Sequence, residues 1–217
     1  VGIGIRALKD NGWGYGATNL LDATAISRAA DAAVTNAAAT THPSPVQVPE
    51  AVSGTYRTPL VTDPFEVPLE DTTAIYERAH RTMLKREGVK SARGTYTAHR
   101  QTQTFMASNG SLQDQVITLC GGGVSAIAVH DGDVQVRSSP KSFEGNLQQG
   151  GYECLIALNL DGTAARVADE AVALTKAEPT PTGETTIVLD GAQLSLQIHE
   201  SVGHPIELDR VFGEEIS

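Results

Sequence analysis

Strand-like alternation opens the chain. Val1 to Leu8 alternate small and branched apolar residues with glycine, "KDNG" follows as a turn, and "WGYGAT" reads as the returning strand, so residues 1–18 predict a β-hairpin. From Leu20 to Thr41 the period changes. Ala23, Ile26, Ala30, Ala33 and Ala37 recur at helical spacing, and Pro43 helps end an amphipathic helix. The proline-rich residues 42–68 show little periodicity and predict a long connection hugging the surface. Leu69, Ala74 or Ile75, Ala79 and Met83 then mark a second helix, closed by Gly88.

From residue 89 the period is two. "ARGTYTAHRQTQTFMAS" alternates, Asn109-Gly110 is a hairpin turn, "SLQDQVITLC" returns, and "VSAIAVHDGDVQVRSS" predicts another hairpin about Asp131 and Gly132. The Gly-rich residues 140–153 predict a loop. "DGTAARVADEAVALTKA" predicts a third helix, "EPTPTG" a break, and "ETTIVLD" a short strand. Asp190 is a suitable N-cap for a fourth helix, on which Leu194, Ile198 and Val202 make one apolar stripe. Leu194, Leu196 and Ile198 also alternate as a strand would, but the cap and the span through Gly203 favour a helix.

Hairpins and helices segregated in this way predict an α+β fold, an antiparallel sheet with amphipathic helices packed on it in two layers. Residues 1–180 are assigned to that domain and residues 181–217 to the start of a second, with the boundary near "EPTPTG". The chain begins in mid-alternation and stops without a cap or tail, so the expectation is that it is part of a longer polypeptide.

Composition narrows the function classes. With 40% hydrophobic residues in 217, the chain can bury a substantial core. Sixteen basic residues against 26 acidic ones leave a formal charge of −10, and the basic residues are not clustered, which disfavours direct binding to nucleic acid or to anionic membrane. Cys120 and Cys154 form no CxxC arrangement and suit a reducing cytoplasm as buried small apolar residues. No apolar run reaches the length of a membrane span.

The candidate chemistry lies in "LQIHESVGHPIELDR", where His199, Glu200 and His204 spell H-E-x-x-x-H. Zinc is commonly held by two histidines and one further ligand, leaving a position for a water whose pKa falls to about 7. Glu200, next to His199, would accept its proton. Histidines four apart turn through about 400° of an ideal helix and nearly eclipse; five apart, they turn through about 500° and stand roughly 140° from one another. A regular helix could not close both on one metal. Gly203 tolerates unusual backbone angles and Pro205 disfavours the helical region for His204, so the expectation is an unwound last turn that swings His204 back toward His199. Glu207 is placed to orient a histidine or to approach the metal itself. Two histidines on an ordinary helix end remain the alternative at this point.

Other signals carry less. "HDGD" at 130–133 reads as a hairpin turn before a metal site, and "CGGGV" at 120–124 as a bulge or close backbone approach instead of a phosphate loop. "GVSAI" is not G-x-S-x-G, so a serine nucleophile has no support. His42, His80 and His99 read as surface histidines. Trp13 and Tyr15 read first as core or interface packing, second as the wall of a groove in which a substrate peptide adds as a strand.

"HESVGHPIELDR", with "TTIVLD" before it, "DPFEVPLE" at 63–70 and the opening "GIGIRALKDNGWGYGAT", resembles the TldD branch of the TldD/PmbA proteins, once called modulators of DNA gyrase. The resemblance implies a zinc metallopeptidase acting on unfolded or peptide substrates such as microcin precursors and antitoxins. It makes His199 and His204 metal ligands and Glu200 the general base. It implies a partner, either a related PmbA/TldE-like subunit or a homo-oligomer, and a third ligand that is a cysteine beyond residue 217. The 217 residues alone should then hold zinc weakly and lack activity. The alternatives are a non-catalytic peptide-binding or scaffold subunit of such a complex, and a gyrase-associated modulator.

Overall fold

The computed structural model describes residues 2–40, 47, 49–107, 109–141 and 145–213. They form two compact units, one of residues 1–53 with 106–112 and one of residues 54–105 with 113–217. His42 and the expected helix end at Thr41 lie outside the described residues.

In the first unit, β1 (Ile3–Lys9) and β2 (Gly12–Thr18) pair antiparallel, from Ile3 opposite Thr18 to Lys9 opposite Gly12. Asp10 and Asn11 make the turn, both at positive φ, as a two-residue hairpin requires. Helix α1 (Ala23–Ala39) starts at Asp22, whose carboxylate accepts the Ala25 N–H at 2.8 Å. Its buried stripe is Ala25, Ala29, Ala33 and Ala37. These meet the glycine face of β2: a Cβ on Gly14 would strike the backbone of Ala33 and Ala37, and one on Gly16 the Ala29 carbonyl. With no side chain between them, strand and helix approach closely enough for direct bonds. Asn36 Nδ2 donates to the Tyr15 carbonyl at 2.8 Å and Thr40 Oγ1 to the Trp13 carbonyl at 2.7 Å. The buried stripe shares only Ala33 and Ala37 with the expected one. A helix so rich in alanine has little amphipathic signal, and the glycine strand selects its smallest side chains.

The second unit is built on a mixed sheet. Strands β4 (Val89–Met106) and β5 (Leu112–His130) pair side by side, and β3 (Ser53–Arg57) lies along the other side of β5. Farther along β5 the antiparallel partners are β6 (Asp133–Ser139), with Val124 opposite Ser139, and β7 (Asn146–Gln149), with Leu119 opposite Gln149. Helices α2 (Leu69–Leu84), α3 (Glu153–Ala157) and α4 (Leu160–Leu174) complete the unit. Ala79 and Met83 of α2, Leu155 of α3, and Leu160, Ala164, Val167, Ala168 and Ala171 of α4 share one core with Cys120, Val124, Ala126 and Ala128 of β5. Alternate β5 residues facing the helices are the period-two pattern made physical. The Gly121-Gly122-Gly123 run is a close backbone approach, as expected: a Cβ on Gly121 would strike the Asn146 carbonyl, and one on Gly122 the Thr95 carbonyl and the Tyr76 hydroxyl. Tyr76 Oη takes the room this leaves and donates to the Thr95 carbonyl at 2.6 Å.

Three expectations are corrected. The connection before α2 contains β3, whose residues are all exposed and so carry no hydrophobic alternation. The loop expected over 140–153 contains β7 and the start of α3. "ETTIVLD" is not a strand: residues 184–190 have no ladder partner among the described residues, and Val188 is 93% exposed. A β-rich sequence without a neighbouring edge has nowhere to place its N–H and C=O groups except water.

The β2–α1 contact makes a test. Gly14→Val should destabilise the chain by about 1–3 kcal/mol, the usual cost of overpacking, whereas Gly54→Val, where a Cβ meets nothing, should change stability little. Urea denaturation of both variants reads the difference.

Two carboxylates of the sheet unit contribute to the acid limit. A bond from Arg100, then the Phe65 N–H, holds the Asp63 carboxyl below its ordinary value. Burial pushes the Glu153 carboxyl up, but the N–H groups of Gly151, Glu153 itself, Thr62 and Val61 outweigh it and leave the group lowered. A carboxyl lowered by folding stabilises above its unfolded pKa, near 4, and that contribution is lost as pH falls through the depressed folded value. Melting temperature should therefore drop from about pH 4 downward, and Asp63→Asn with Glu153→Gln should lower it at neutral pH while flattening the acid slope.

Candidate metal centre

The H-E-x-x-x-H segment is carried by a helix that starts and ends differently. Helix α5 (Gly191–Ile198) is capped by Asp190, whose Oδ1 accepts the Gln193 N–H at 2.9 Å while Lys141 Nζ donates to Oδ2 at 2.9 Å. Lys141 first, and the cap bond second, hold the Asp190 carboxyl below its ordinary range. The cap is as the sequence predicts, but the lysine is not legible there because it is distant in the chain.

At His199 the backbone changes pitch. Residues His199–Gly203 form one π-turn, closed by the His204 N–H donating to the His199 carbonyl. An i→i+5 bond brings residue i+5 over residue i, as an α-turn does for i+4. The extra residue is thus absorbed by a wider turn instead of an unwound one. His204 stays right-handed at φ −66° and ψ −43° despite Pro205, and a short 3₁₀ turn runs over His204–Ile206. The preference of a pre-proline residue for extended backbone is overridden by the π-turn bond.

The two imidazoles meet edge to face, with ring centroids 4.5 Å apart. His199 Nε2 lies 3.9 Å from Glu200 Oε1, and His204 Nε2 lies 3.9 Å from Glu200 Oε2. One donor atom from each of His199, Glu200 and His204 falls within 4.8 Å of the others, the metal-competent group found among the described residues. This donor set suits a divalent ion: two imidazole nitrogens and a carboxylate oxygen lie close enough together to approach one ion. Glu207 Oε1 lies 2.9 Å from His204 Nδ1, the nitrogen away from Glu200, and Glu207 is not in the group. Arg210, which sequence reasoning missed, reaches Glu207 Oε2 with Nε at 3.2 Å. Its only signal was its place three residues after Glu207.

The remaining candidates lie elsewhere. Cys120 is fully buried and Cys154 half-buried in the sheet unit, and burial pushes both thiols up, away from the thiolate a metal takes. "HDGD" is the β5–β6 turn, with Asp131 and Gly132 at positive φ. His99 is exposed, as expected. His80 is not a plain surface residue, since its Nε2 is buried with no hydrogen-bond partner among the described residues. Trp13 and Tyr15 are not core. They stand 43% and 57% exposed on the face of β2 away from α1, opposite Leu8 and Arg6. The expected apolar stripe, Leu194 and Ile198 of α5 with Val202 of the π-turn, is not buried.

Known proteins similar to this chain are metallopeptidases, and the matching family models lie outside residues 199–207. Residues 62–177 match the PmbA/TldA metallopeptidase central domain and residues 1–37 match PmbA/TldA metallopeptidase domain 1. A metalloprotease of Methanocaldococcus jannaschii is 27% identical over 215 residues, covering 97% of this chain and 46% of that protein. A metalloprotease of Methanothermobacter thermautotrophicus is 30% identical over 148 residues, 68% of this chain and 31% of that one. The chain thus spans less than half the length of these relatives. A solved Thermotoga maritima structure, described as a modulator of a DNA gyrase, shares the fold with a TM-score of 0.55 at 18% identity, over 84% of this chain and 39% of that one.

The π-turn can be tested by spacing. An alanine inserted after Ser201 adds a sixth step between the histidines, which the i→i+5 bond does not accommodate. Divalent-metal affinity, read by competition with a chromophoric chelator, should fall to that of His204→Ala. Unchanged affinity would show that convergence of the two rings is not what holds the ion.

Proposed function

The chain belongs to the PmbA/TldD metallopeptidase family, and on that footing we propose that it supplies the metal ligands and the general base of a zinc peptidase that hydrolyses peptide bonds in peptides or unfolded proteins. The observation that carries the reading is the convergence of both Nε2 atoms on Glu200. His199 and His204 would hold zinc through these nitrogens, and the ion when bound supplies the Lewis acidity that polarises a peptide carbonyl.

Glu200 does the proton work. It takes a proton from water as the new C–O bond forms and returns it to the amine nitrogen as the C–N bond breaks. A carboxylate committed as a permanent ligand could not do this, which favours two ligands and a base over three ligands. The further protein ligand is proposed to be the downstream cysteine that the family resemblance implies, since neither Cys120 nor Cys154 is in the group. The proposed partner is a PmbA/TldE-like subunit or a second copy, and the proposed location is the cytoplasm, where free thiols persist. No helix among the described residues is long and apolar enough to cross a membrane. A DNA-contacting modulator is disfavoured by the charge of −10.

Glu200→Gln in the active, metal-loaded protein should abolish peptide hydrolysis while leaving the zinc content unchanged, read by peptide cleavage assay and elemental analysis. Retained turnover would remove Glu200 from the proton transfer, and a scaffold subunit would show no turnover in either form.

A further inference from the structure

Glu207 and Arg210 lie outside the His199, Glu200, His204 group but are wired to it. A neutral imidazole carries one N–H and one lone pair, and which nitrogen carries which decides where it can bind a metal. In His204 the two nitrogens face different partners. Nδ1 lies 2.9 Å from Glu207 Oε1, whereas Nε2 looks across to Glu200 Oε2 at 3.9 Å. An ionised carboxylate only accepts, so in a neutral ring this contact calls for the proton on Nδ1 and the lone pair on Nε2.

The local backbone explains why Glu207 is the residue that does this. One 3₁₀ turn follows His204, with the Glu207 N–H donating to the His204 carbonyl at 3.1 Å. Residues three apart in a 3₁₀ turn eclipse, which brings the Glu207 side chain alongside the His204 ring. Glu207 then becomes the N-cap residue of α6 (Leu208–Val211), where the backbone turns extended at ψ 131°. Arg210, on the first turn of α6, reaches back to the second Glu207 oxygen at 3.2 Å. The carboxylate is held at both ends, by a guanidinium on Oε2 and the Nδ1 of an imidazole on Oε1. The three side chains are 32%, 43% and 32% exposed in the order His204, Glu207, Arg210, so the pairs are screened and their value lies in aim more than in stability.

We propose that Arg210 and Glu207 are positioning residues that fix His204 in its Nδ1–H tautomer, so that Nε2 is presented as a ligand before any metal arrives. The proposal rests on the reading of His204 as a metal ligand. Free histidine favours the opposite tautomer, with the proton on Nε2, and a site that left His204 to that preference would have to move the proton each time it bound the ion.

The test reads the proton directly. In the metal-free 217-residue chain with ¹⁵N-labelled histidine, at a pH where the ring is neutral, long-range ¹H–¹⁵N spectra should show His204 protonated at Nδ1. Glu207→Ala should move the population toward Nε2–H and weaken zinc binding by about 10–100-fold, the usual loss when a ligand's orienting partner is removed. Glu207→Gln should restore the Nδ1–H form, because the carboxamide oxygen still accepts, and Arg210→Met should fall between Gln and Ala. A His204 protonated at Nε2 in the parent chain, or a tautomer that Glu207→Ala does not move, would overturn the relay and leave the ligand assignment standing. Zinc affinity unaffected by His204→Ala would instead overturn the ligand assignment, and the relay's purpose with it.

Discussion

Everything at the candidate site depends on one backbone hydrogen bond, from the His204 N–H to the His199 carbonyl. The histidines stand five positions apart where an α-helix would want four, and a chain has few ways to accommodate the surplus. It can unwind, bulge outward, or widen one turn; here it widens. Widening keeps both flanking segments helical and right-handed, so the two rings stay on one side of the axis and meet at 4.5 Å. It also puts Glu200, adjacent to the first histidine, between the two Nε2 atoms at equal distances. A single α-turn with the same residues would have pointed His204 away from His199 and left Glu200 beside one ring only.

The scaffold uses the same economy in another form, removing side chains where backbones must come close. β2 gives up its Cβ atoms at Gly12, Gly14 and Gly16 so that α1 can lie on it through alanines, and β5 gives them up at Gly121 and Gly122 so that β7 and Tyr76 can approach. Such contacts bury little apolar area per residue, and they are held instead by side-chain bonds to strand carbonyls, Asn36 and Thr40 on β2 and Tyr76 on β4. Their strength is in shape, which is why one added methyl group is felt there.

Much of this was legible in the sequence where a residue type has only one physical use. Asp190 three residues before Gln193 reads as a cap and is one; Asp131-Gly132 between alternating runs reads as a turn and is one; the glycine triplet reads as a close approach and is one. Legibility failed where the deciding partner is distant or the signal is weak. The phase of α1 was unreadable because any of its alanines could face a core, and the glycine strand made the choice. "TTIVLD" has strand composition, but composition cannot supply an edge to pair with. At the site the spacing rightly excluded a regular helix, and Gly203 and Pro205 pointed to unwinding. The π-turn was missed because a wider turn leaves no residue signature; its cause is a bond, not a side chain.

The positions of the two carboxylates explain why Glu200 and Glu207, the same residue type within one short segment, suit different work. Glu207 touches an imidazole nitrogen at 2.9 Å and is itself gripped by Arg210, so it is committed at both oxygens and has none left for a travelling proton. Glu200 is 3.9 Å from each Nε2, too far to be bonded to either and near enough to act on whatever lies between them. A general base must reach its proton at hydrogen-bond distance and must also let it go. Of the two carboxylates, only the one that the histidines leave uncommitted meets the second condition. The division of labour proposed for them would therefore follow from the turn geometry: the π-turn leaves Glu200 near both Nε2 atoms, and the 3₁₀ turn after it carries Glu207 round to Nδ1 of His204.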